Sequence, residues 1–245
     1  LNTNGVLLHQ ENIRVLVEHL SFIRISLNAG TKETYSKIHK TQETDFDIVI
    51  NNIRNLVEAK KKSHNQLTIG VQLVLLKENY HEIKDLCLQL KKIGVTYFSV
   101  KPFLKHPDTM FDNEVDDLER RLDDFINFQE SVNDEHFTFV LRKGLFLDKF
   151  ERKYKKCLST PFMIEIDAEG DVYSCGPHLG NPDHKLGNIL SSDFQTVWNS
   201  SQAEKVRNYV ACNVDVTKCM PYCRPNSVNE VLWEINNPPQ HVNYI

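Results

Sequence analysis

The chain has 245 residues, 40% hydrophobic and 25% charged, with a formal net charge of −4. This is ordinary globular composition with length enough for a full core, and slight acidity gives no electrostatic reason to expect nucleic acid or an anionic membrane as partner. No apolar run approaches the ~20 residues that span a bilayer, and Leu1-Asn-Thr-Asn-Gly5 lacks the basic start and apolar core of a signal peptide.

In chain order, Val6-Leu-Leu8 reads as a strand end running into a helix whose apolar positions are Ile13, Leu16, Val17 and Leu20. Phe22-Ile-Arg-Ile-Ser-Leu27 is a short apolar run of buried-strand type. Thr31 is placed as the N-cap of a short helix through Ile38. Phe46, Val49, Ile50, Ile53, Leu56 and Val57 form one stripe over Phe46–Lys62, and Lys60-Lys-Lys62 suits the negative end of the helix dipole. Leu67–Leu76 follows as a strand, then Tyr80–Ile93 as a helix stopped by Gly94, with Cys87 on its apolar side. Tyr97–Val100, Val115–Val132 and Phe137–Leu141 continue as strand, helix and strand. Such alternation predicts βαβ units and a parallel sheet, either an α/β barrel or a doubly wound sheet. After about Leu145 the pattern changes. Lys149–Lys156 is a charged connector, followed by a hairpin, loops and short helices at Phe194–Trp198, Gln202–Tyr209 and Val228–Ile235.

Five of the six cysteines lie between Cys157 and Cys223. Cys157 and Cys175 are spaced C-x12-G-x4-C and flank a predicted hairpin, Phe162–Ile166 and Val172–Tyr173, turned by Asp167-Ala-Glu-Gly170-Asp. Cys219 and Cys223 are spaced C-x3-C, with Cys212 upstream. Sparse cysteine and the lack of an export signal favour reduced thiols holding a metal or cluster over disulfides, and hence a cytoplasmic compartment. Structural zinc and a [4Fe–4S] cluster each need four attachments. Zinc sites usually use close C-x2-C knuckles, which Cys157 and Cys175 do not form, so the spacing favours a cluster.

Cys157–Gly170–Cys175, then Lys185-Leu-Gly-Asn-Ile189, Phe194-Gln-Thr-Val-Trp198-Asn-Ser and Cys219-x3-Cys223-Arg224 together resemble the SPASM/twitch domain of radical SAM enzymes. Full SPASM domains carry more cysteines and two clusters. The resemblance therefore implies a single auxiliary [4Fe–4S] cluster on Cys157, Cys175, Cys219 and Cys223, with Cys212, placed just past a helix, as substitute ligand or spare thiol. Trp198 reads as core; for His178 and His184, in the loop after Cys175, the alternatives are an approach to the cluster or substrate and, the preferred reading, exposed loop histidines. Asn229 reads as a backbone brace, and Arg224 either as a charge near the cluster or as the partner of a carboxylate.

The same resemblance implies a fold: a partial (β/α) barrel of radical SAM type over residues 1–148, lacking its first strands, then a small cysteine-rich α+β domain over 149–245. Thr3-Asn-Gly5 resembles the end of the third barrel strand and Arg24–Thr31 the fourth strand with its turn. The implied S-adenosylmethionine contacts are Ser26 first and Asn28 next, with Gln72 and Lys101 as further candidates. The Lys101–Pro107 loop, Asn79 and Arg142 are placed toward substrate, at the C-terminal strand ends where such barrels work. The family's C-x3-C-x2-C loop, which holds the catalytic [4Fe–4S] cluster, and its Gly-Gly-Glu-type motif are both missing from the sequence. Both are expected before Leu1, so the chain alone is expected to be inactive. The implied full-length activity is that of an oxidoreductase. S-adenosylmethionine is cleaved reductively to a 5′-deoxyadenosyl radical, which takes hydrogen from a peptide or from a sugar or aminocyclitol. The auxiliary cluster serves substrate binding or electron transfer, and flavodoxin or ferredoxin supplies electrons. The alternative is a zinc-stabilised binding module on an α/β scaffold without catalysis.

Overall fold

A computed structural model of the chain describes residues 1–104, 113–147 and 150–240. These form two compact units that divide between residues 147 and 150.

In the first unit, strands β1 (Asn2–Thr3), β2 (Phe22–Ser26), β3 (Thr68–Leu75), β4 (Tyr97–Pro102) and β5 (Thr138–Leu141) form one sheet. It is parallel throughout and its spatial order is the sequence order. Right-handed crossovers that always step in one direction put every helix on the same face. This distinguishes barrel-type winding from a doubly wound sheet. The helices are α1 (Gln10–His19), α2 (Lys32–His39), α3 (Thr44–Lys61), α4 (Ile83–Ile93), α5 (Leu118–Val132) and α6 (Gly144–Leu147). Val6–Leu8 is a turn and not the predicted strand end, because pairing with β2 stops at Thr3.

The strands alternate, and the alternation separates the two faces. Ile23, Ile25, Ile69, Val71, Leu73, Phe98 and Phe139 are fully buried and share one core with the apolar stripes of α3 and α4. Cys87 lies in that core, as its helical position predicts. Arg24, Ser26, Gln72 and Tyr97 stand on the other face and remain half-exposed. Parallel strands covered on both sides read as continuous apolar runs, so this polar alternation marks a face that the helices leave uncovered. On it, Ser26, Gln72 and Ser99 occupy one register row. Tyr97 lies across Gly70, where an added Cβ would sit 2.1 Å from the ring. Only glycine accommodates that packing.

Two buried side chains fix the loops at the C-terminal strand ends. Asn79, fully buried, accepts a hydrogen bond from the Leu76 N–H (2.8 Å) and donates to the carbonyls of Asn28 (2.8 Å) and Val74 (2.9 Å). It is thus a backbone clamp and does not reach toward substrate as predicted. Glu82 accepts from the Gly30 N–H (2.7 Å) and from the hydroxyls of Thr31 (2.7 Å) and Thr34 (2.6 Å). Thr31 caps α2 by accepting from the Thr34 N–H.

The second unit contains a three-stranded antiparallel sheet, β6 (Glu165–Ile166), β7 (Asp171–Tyr173) and β8 (Lys185–Asn188), in the order β6-β7-β8. Helices α7 (Phe194–Trp198), α8 (Ser201–Asn213) and α9 (Asn226–Asn236) complete it. Gly170 supplies the positive φ of +79° at the hairpin turn, and Asp167 Oδ1 accepts from the Glu169 and Asp171 N–H groups. Val172, Leu186, Val197, Ala203, Val206 and Val210 form its core, with Trp198 packed against it. The first hairpin strand is shorter than predicted, because the Phe162 and Met163 N–H groups turn back to the Ser159 carbonyl. Helix α8 runs longer than predicted, with no glycine or proline to stop it before Asn213, so Cys212 lies inside it.

Replacing Glu82 by Ala leaves three part-buried donors without their acceptor. The expected cost is about 2 kcal/mol, seen as a lower urea midpoint, with Glu82→Gln intermediate; wild-type stability in Glu82→Ala would refute the clamp.

Candidate metal centre

Cys157 enters the turn before the hairpin, Cys175 leaves β7, Cys219 follows a single 3-10 turn at Val216–Lys218, and Cys223 precedes α9. All four are half-buried, whereas Cys212 is exposed on α8. The Cys175 thiol is pushed up to about 12, first by burial and then by the negative charges that Cys157, Cys219 and Cys223 would carry. Burial raises Cys219 too; Arg152 opposes that rise, and Cys157 and Cys223 add to it. These four thiols therefore lie within electrostatic reach of one another. Ionising them together is unfavourable unless a cation is bound among them. Cys87 is also raised to about 12, by burial in the apolar core, which leaves it inert.

A polar frame holds the four cysteines. Asn229 is 1% exposed; its Oδ1 accepts from the Leu158 N–H at 2.6 Å and its Nδ2 donates toward Cys157 Sγ at 3.4 Å. The predicted brace thus also touches a ligand candidate. The Tyr154 hydroxyl donates to Asn226 Oδ1 (3.1 Å) and lies 3.9 Å from Cys223 Sγ. Burial and the Cys223 charge raise its pKa.

Arg152 donates to the Val216 carbonyl and, at 3.0 Å, to the Met220 carbonyl, so that its guanidinium brackets Cys219. It also lies over the Phe150 and Tyr154 rings, 5.0 and 5.4 Å from their centroids. Its buried Nε has no hydrogen-bond partner among the described residues. Arg224, for which the sequence leaves two roles open, pairs with Glu165 at 3.3 Å and is largely exposed. The cation at the thiols is therefore Arg152. It was missed because Lys149–Lys156 reads only as a charged connector, and its carbonyl partners lie 64 and 68 residues away.

The histidines differ from expectation as well. His184 is 3% exposed, not a solvated loop residue. Its Nδ1 lies 2.7 Å from Ser174 Oγ, its ring stacks on His178 (centroids 3.9 Å, interplanar angle 5°), and Tyr209 packs edge-on against it. Ligand atoms of Cys175, His178 and His184 lie within 4.8 Å of one another.

In the first unit, Ser26 and Gln72 fall on the uncovered sheet face together with Ser99, which the sequence reading overlooked. Asn28 Oδ1 accepts from the Val74 N–H at 2.9 Å. Lys101 is exposed near the C-terminal end of β4, and Arg142 follows β5 directly. The Lys105–Pro107 part of the predicted substrate loop lies outside the described residues. A cavity of about 830 Å³ opens on the helical side, lined by Gln10, Arg14, Asn55 and Glu58, away from all of these groups in the fold.

Burial, reinforced by His178, lowers the pKa of His184 from 6.5 to about 4. The unfolded chain then binds the proton more readily, so the stability due to neutral His184 is complete above about pH 6.5 and is lost as pH falls toward about 4. Urea midpoints of the metal-free chain should fall across that window, and His184→Asn should flatten the decline. An unchanged slope in the variant would refute the assignment.

Comparison with known proteins agrees with this geometry. Residues 157–228 match the SPASM family model, described as an iron–sulfur cluster-binding domain. No curated protein matches. Crystal structures of SuiB from Streptococcus suis are similar in fold. The structure of SuiB itself shares 16% identity and covers 89% of this chain and 53% of that one, with a TM-score of 0.59. The structure bound to S-adenosylmethionine gives 18%, 89%, 52% and 0.59 in the same order. The one bound to the precursor peptide SuiA gives 17%, 89%, 51% and 0.56. The chain spans about half the length of these SuiB chains. It combines an α/β unit and a small cysteine-rich unit in the fold of SuiB, and it carries a SPASM iron–sulfur cluster-binding domain at residues 157–228.

Proposed function

We propose that this chain is the C-terminal portion of a radical SAM oxidoreductase that acts on a peptide, with an auxiliary [4Fe–4S] cluster held by Cys157, Cys175, Cys219 and Cys223. The observation that carries the reading is the match of residues 157–228 to the SPASM iron–sulfur cluster-binding model, a segment that contains all four of these half-buried thiols. The donor set fits the group: four thiolates satisfy a cubane cluster, and Arg152, whose buried Nε has no hydrogen-bond partner among the described residues, brings positive charge near Cys219. When bound, such a cluster supplies one-electron transfer or a ligation point for substrate.

The chain's own residues do the positioning. Asn229 directs an N–H toward the Cys157 sulfur and fixes the Leu158 backbone. Arg152 offsets negative charge next to Cys219. On the uncovered sheet face, Ser26 and Gln72 are our candidates for the polar groups of S-adenosylmethionine, with Ser99 on the far side of Gln72 in the same row and Lys101 at the strand end. Asn28 shapes the turn beside them from its bond to Val74. A peptide is favoured over a sugar or aminocyclitol because the similar SuiB was crystallised with a precursor peptide. The C-x3-C-x2-C loop does not occur in these 245 residues, so the radical-generating step is assigned to a longer polypeptide, with an external donor such as flavodoxin or ferredoxin.

Anaerobic reconstitution of the chain should load about four irons and four sulfides. Serine at position 157, 175, 219 or 223 should each lower that content sharply, whereas Cys212→Ser and Cys87→Ser should leave it unchanged. Loss of iron in Cys212→Ser with retention in Cys219→Ser would overturn the ligand set. Formation of 5′-deoxyadenosine by this chain alone would overturn the assignment of the radical step elsewhere.

A further inference from the structure

On the auxiliary-cluster reading, we infer that Arg152 is the residue that raises the reduction potential of that cluster, its Nε–H donating to a sulfur of the cluster or of a ligating cysteine. Arg152 ligates no metal; it acts through the sulfurs that do.

Three features support it. First, the guanidinium is fixed on both sides of one ligand candidate. It donates to the Val216 carbonyl and, at 3.0 Å, to the Met220 carbonyl, and Cys219 lies between these two residues in the chain. It also lies over the Tyr154 ring, 5.4 Å from the centroid, and the Tyr154 hydroxyl is 3.9 Å from Cys223 Sγ. One cation is thereby set against the groups around both cysteines of the C-x3-C pair. Second, its charge is uncompensated. Arg152 is half-buried and forms no ion pair with a carboxylate among the described residues, whereas the exposed Arg224 is paired with Glu165. A cation removed from water calls for an anion beside it, and Arg152 already favours the thiolate of Cys219 against burial. Third, Nε is buried and has no hydrogen-bond partner among the described residues. A buried donor without an acceptor costs the desolvation of that group, and orphans of this kind point to an ion, a water or a redox role.

The direction of the effect follows from charge. Cluster potentials depend on net charge and on hydrogen bonds to the sulfurs. Reduction adds one electron to an already anionic four-thiolate cluster. A fixed cation and a charge-assisted hydrogen bond stabilise the more negative state more, so both raise the potential. No bond forms or breaks, and the guanidinium stays protonated throughout.

The test is an anaerobic redox titration of the reconstituted 245-residue chain with dithionite as electron donor, the reduced cluster being followed by EPR. In Arg152→Gln, loaded with iron and sulfide as the wild type is, the reduced-to-oxidised ratio at a fixed potential should fall about tenfold. That is a shift of about 59 mV to lower potential for a one-electron couple. Arg152→Lys keeps the charge and loses the planar fork, and should fall between the two. Arg224→Gln should titrate as the wild type does, because an exposed charge is screened. If neither Arg152 variant loads iron, a measurement without substitution at 152 decides. Pulsed EPR of the reduced Arg224→Gln chain, grown on arginine carrying nitrogen-15 in the guanidinium, should show a label-dependent nitrogen coupling. A wild-type potential in loaded Arg152→Gln would overturn the proposal and mark Arg152 as a backbone brace only, as would a loaded chain without the nitrogen coupling. A wild-type chain that takes up no iron would refute the cluster reading itself, and the role of Arg152 with it. A loaded chain whose potential ignores position 152 would refute that role alone.

Discussion

The constraint on which the second unit turns is that four half-buried thiols, brought from three places in the chain, cannot all ionise unless a cation binds among them. Cys157 and Cys175 are joined by a hairpin, while Cys219 and Cys223 arrive on a 3-10 turn and the start of a helix. As thiolates they oppose one another, and the surrounding structure answers with positive or donating groups. Arg152 is anchored on the carbonyls of Val216 and Met220, and Asn229 aims its amide at Cys157. A small unit with a core of a few valines, a leucine and an alanine has little apolar surface with which to offset such a concentration of buried polar groups. Binding energy from a metal group would contribute to holding the arrangement together.

The first unit has a different economy of parts. Five parallel strands in sequential order place all helices on one face, so the apolar core forms on that side and the opposite face keeps its polar row. The loops at the C-terminal strand ends are closed by side chains and not by hydrophobic packing: Asn79 joins the end of β2 to the turn after β3, and Glu82 collects donors from the loop that leads into α2. Buried, fully satisfied polar groups of this kind specify one geometry. Beside these loops, Ser26 and Gln72 keep one register row on the uncovered face.

The histidine pair packs beside one of the four thiols. His178 and His184 stack face to face next to Cys175, with Ser174 Oγ on His184 Nδ1 and Tyr209 edge-on to the same ring. Ring packing thus holds the loop that follows β7.

Much of this protein was legible in its sequence because the relevant signals are local. Periodicity and capping signals gave β2 to β5 and α1 to α5 of the first unit in correct order, since an amphipathic stripe or an apolar run records its own burial. Thr31 announced a cap, Gly94 a helix end and Gly170 a turn, because each carries its backbone preference with it. The cysteine spacing and the motifs around it pointed to a SPASM-type segment for the same reason. What only the tertiary structure decided are relations across long separations. The choice between barrel-type and doubly wound winding depends on strand order, which the alternation of elements does not encode. Asn79 looked like a ligand-facing residue and proved to be a buried backbone clamp, because its partners are carbonyl and amide groups of Asn28, Val74 and Leu76. Arg152 displaced Arg224 as the cation beside the thiols, since its anchors lie more than sixty residues away. His184, read as an exposed loop residue, is buried because Ser174, His178 and, from α8, Tyr209 pack against its ring. A sequence states what each segment prefers; which charges meet is fixed only when the segments pack.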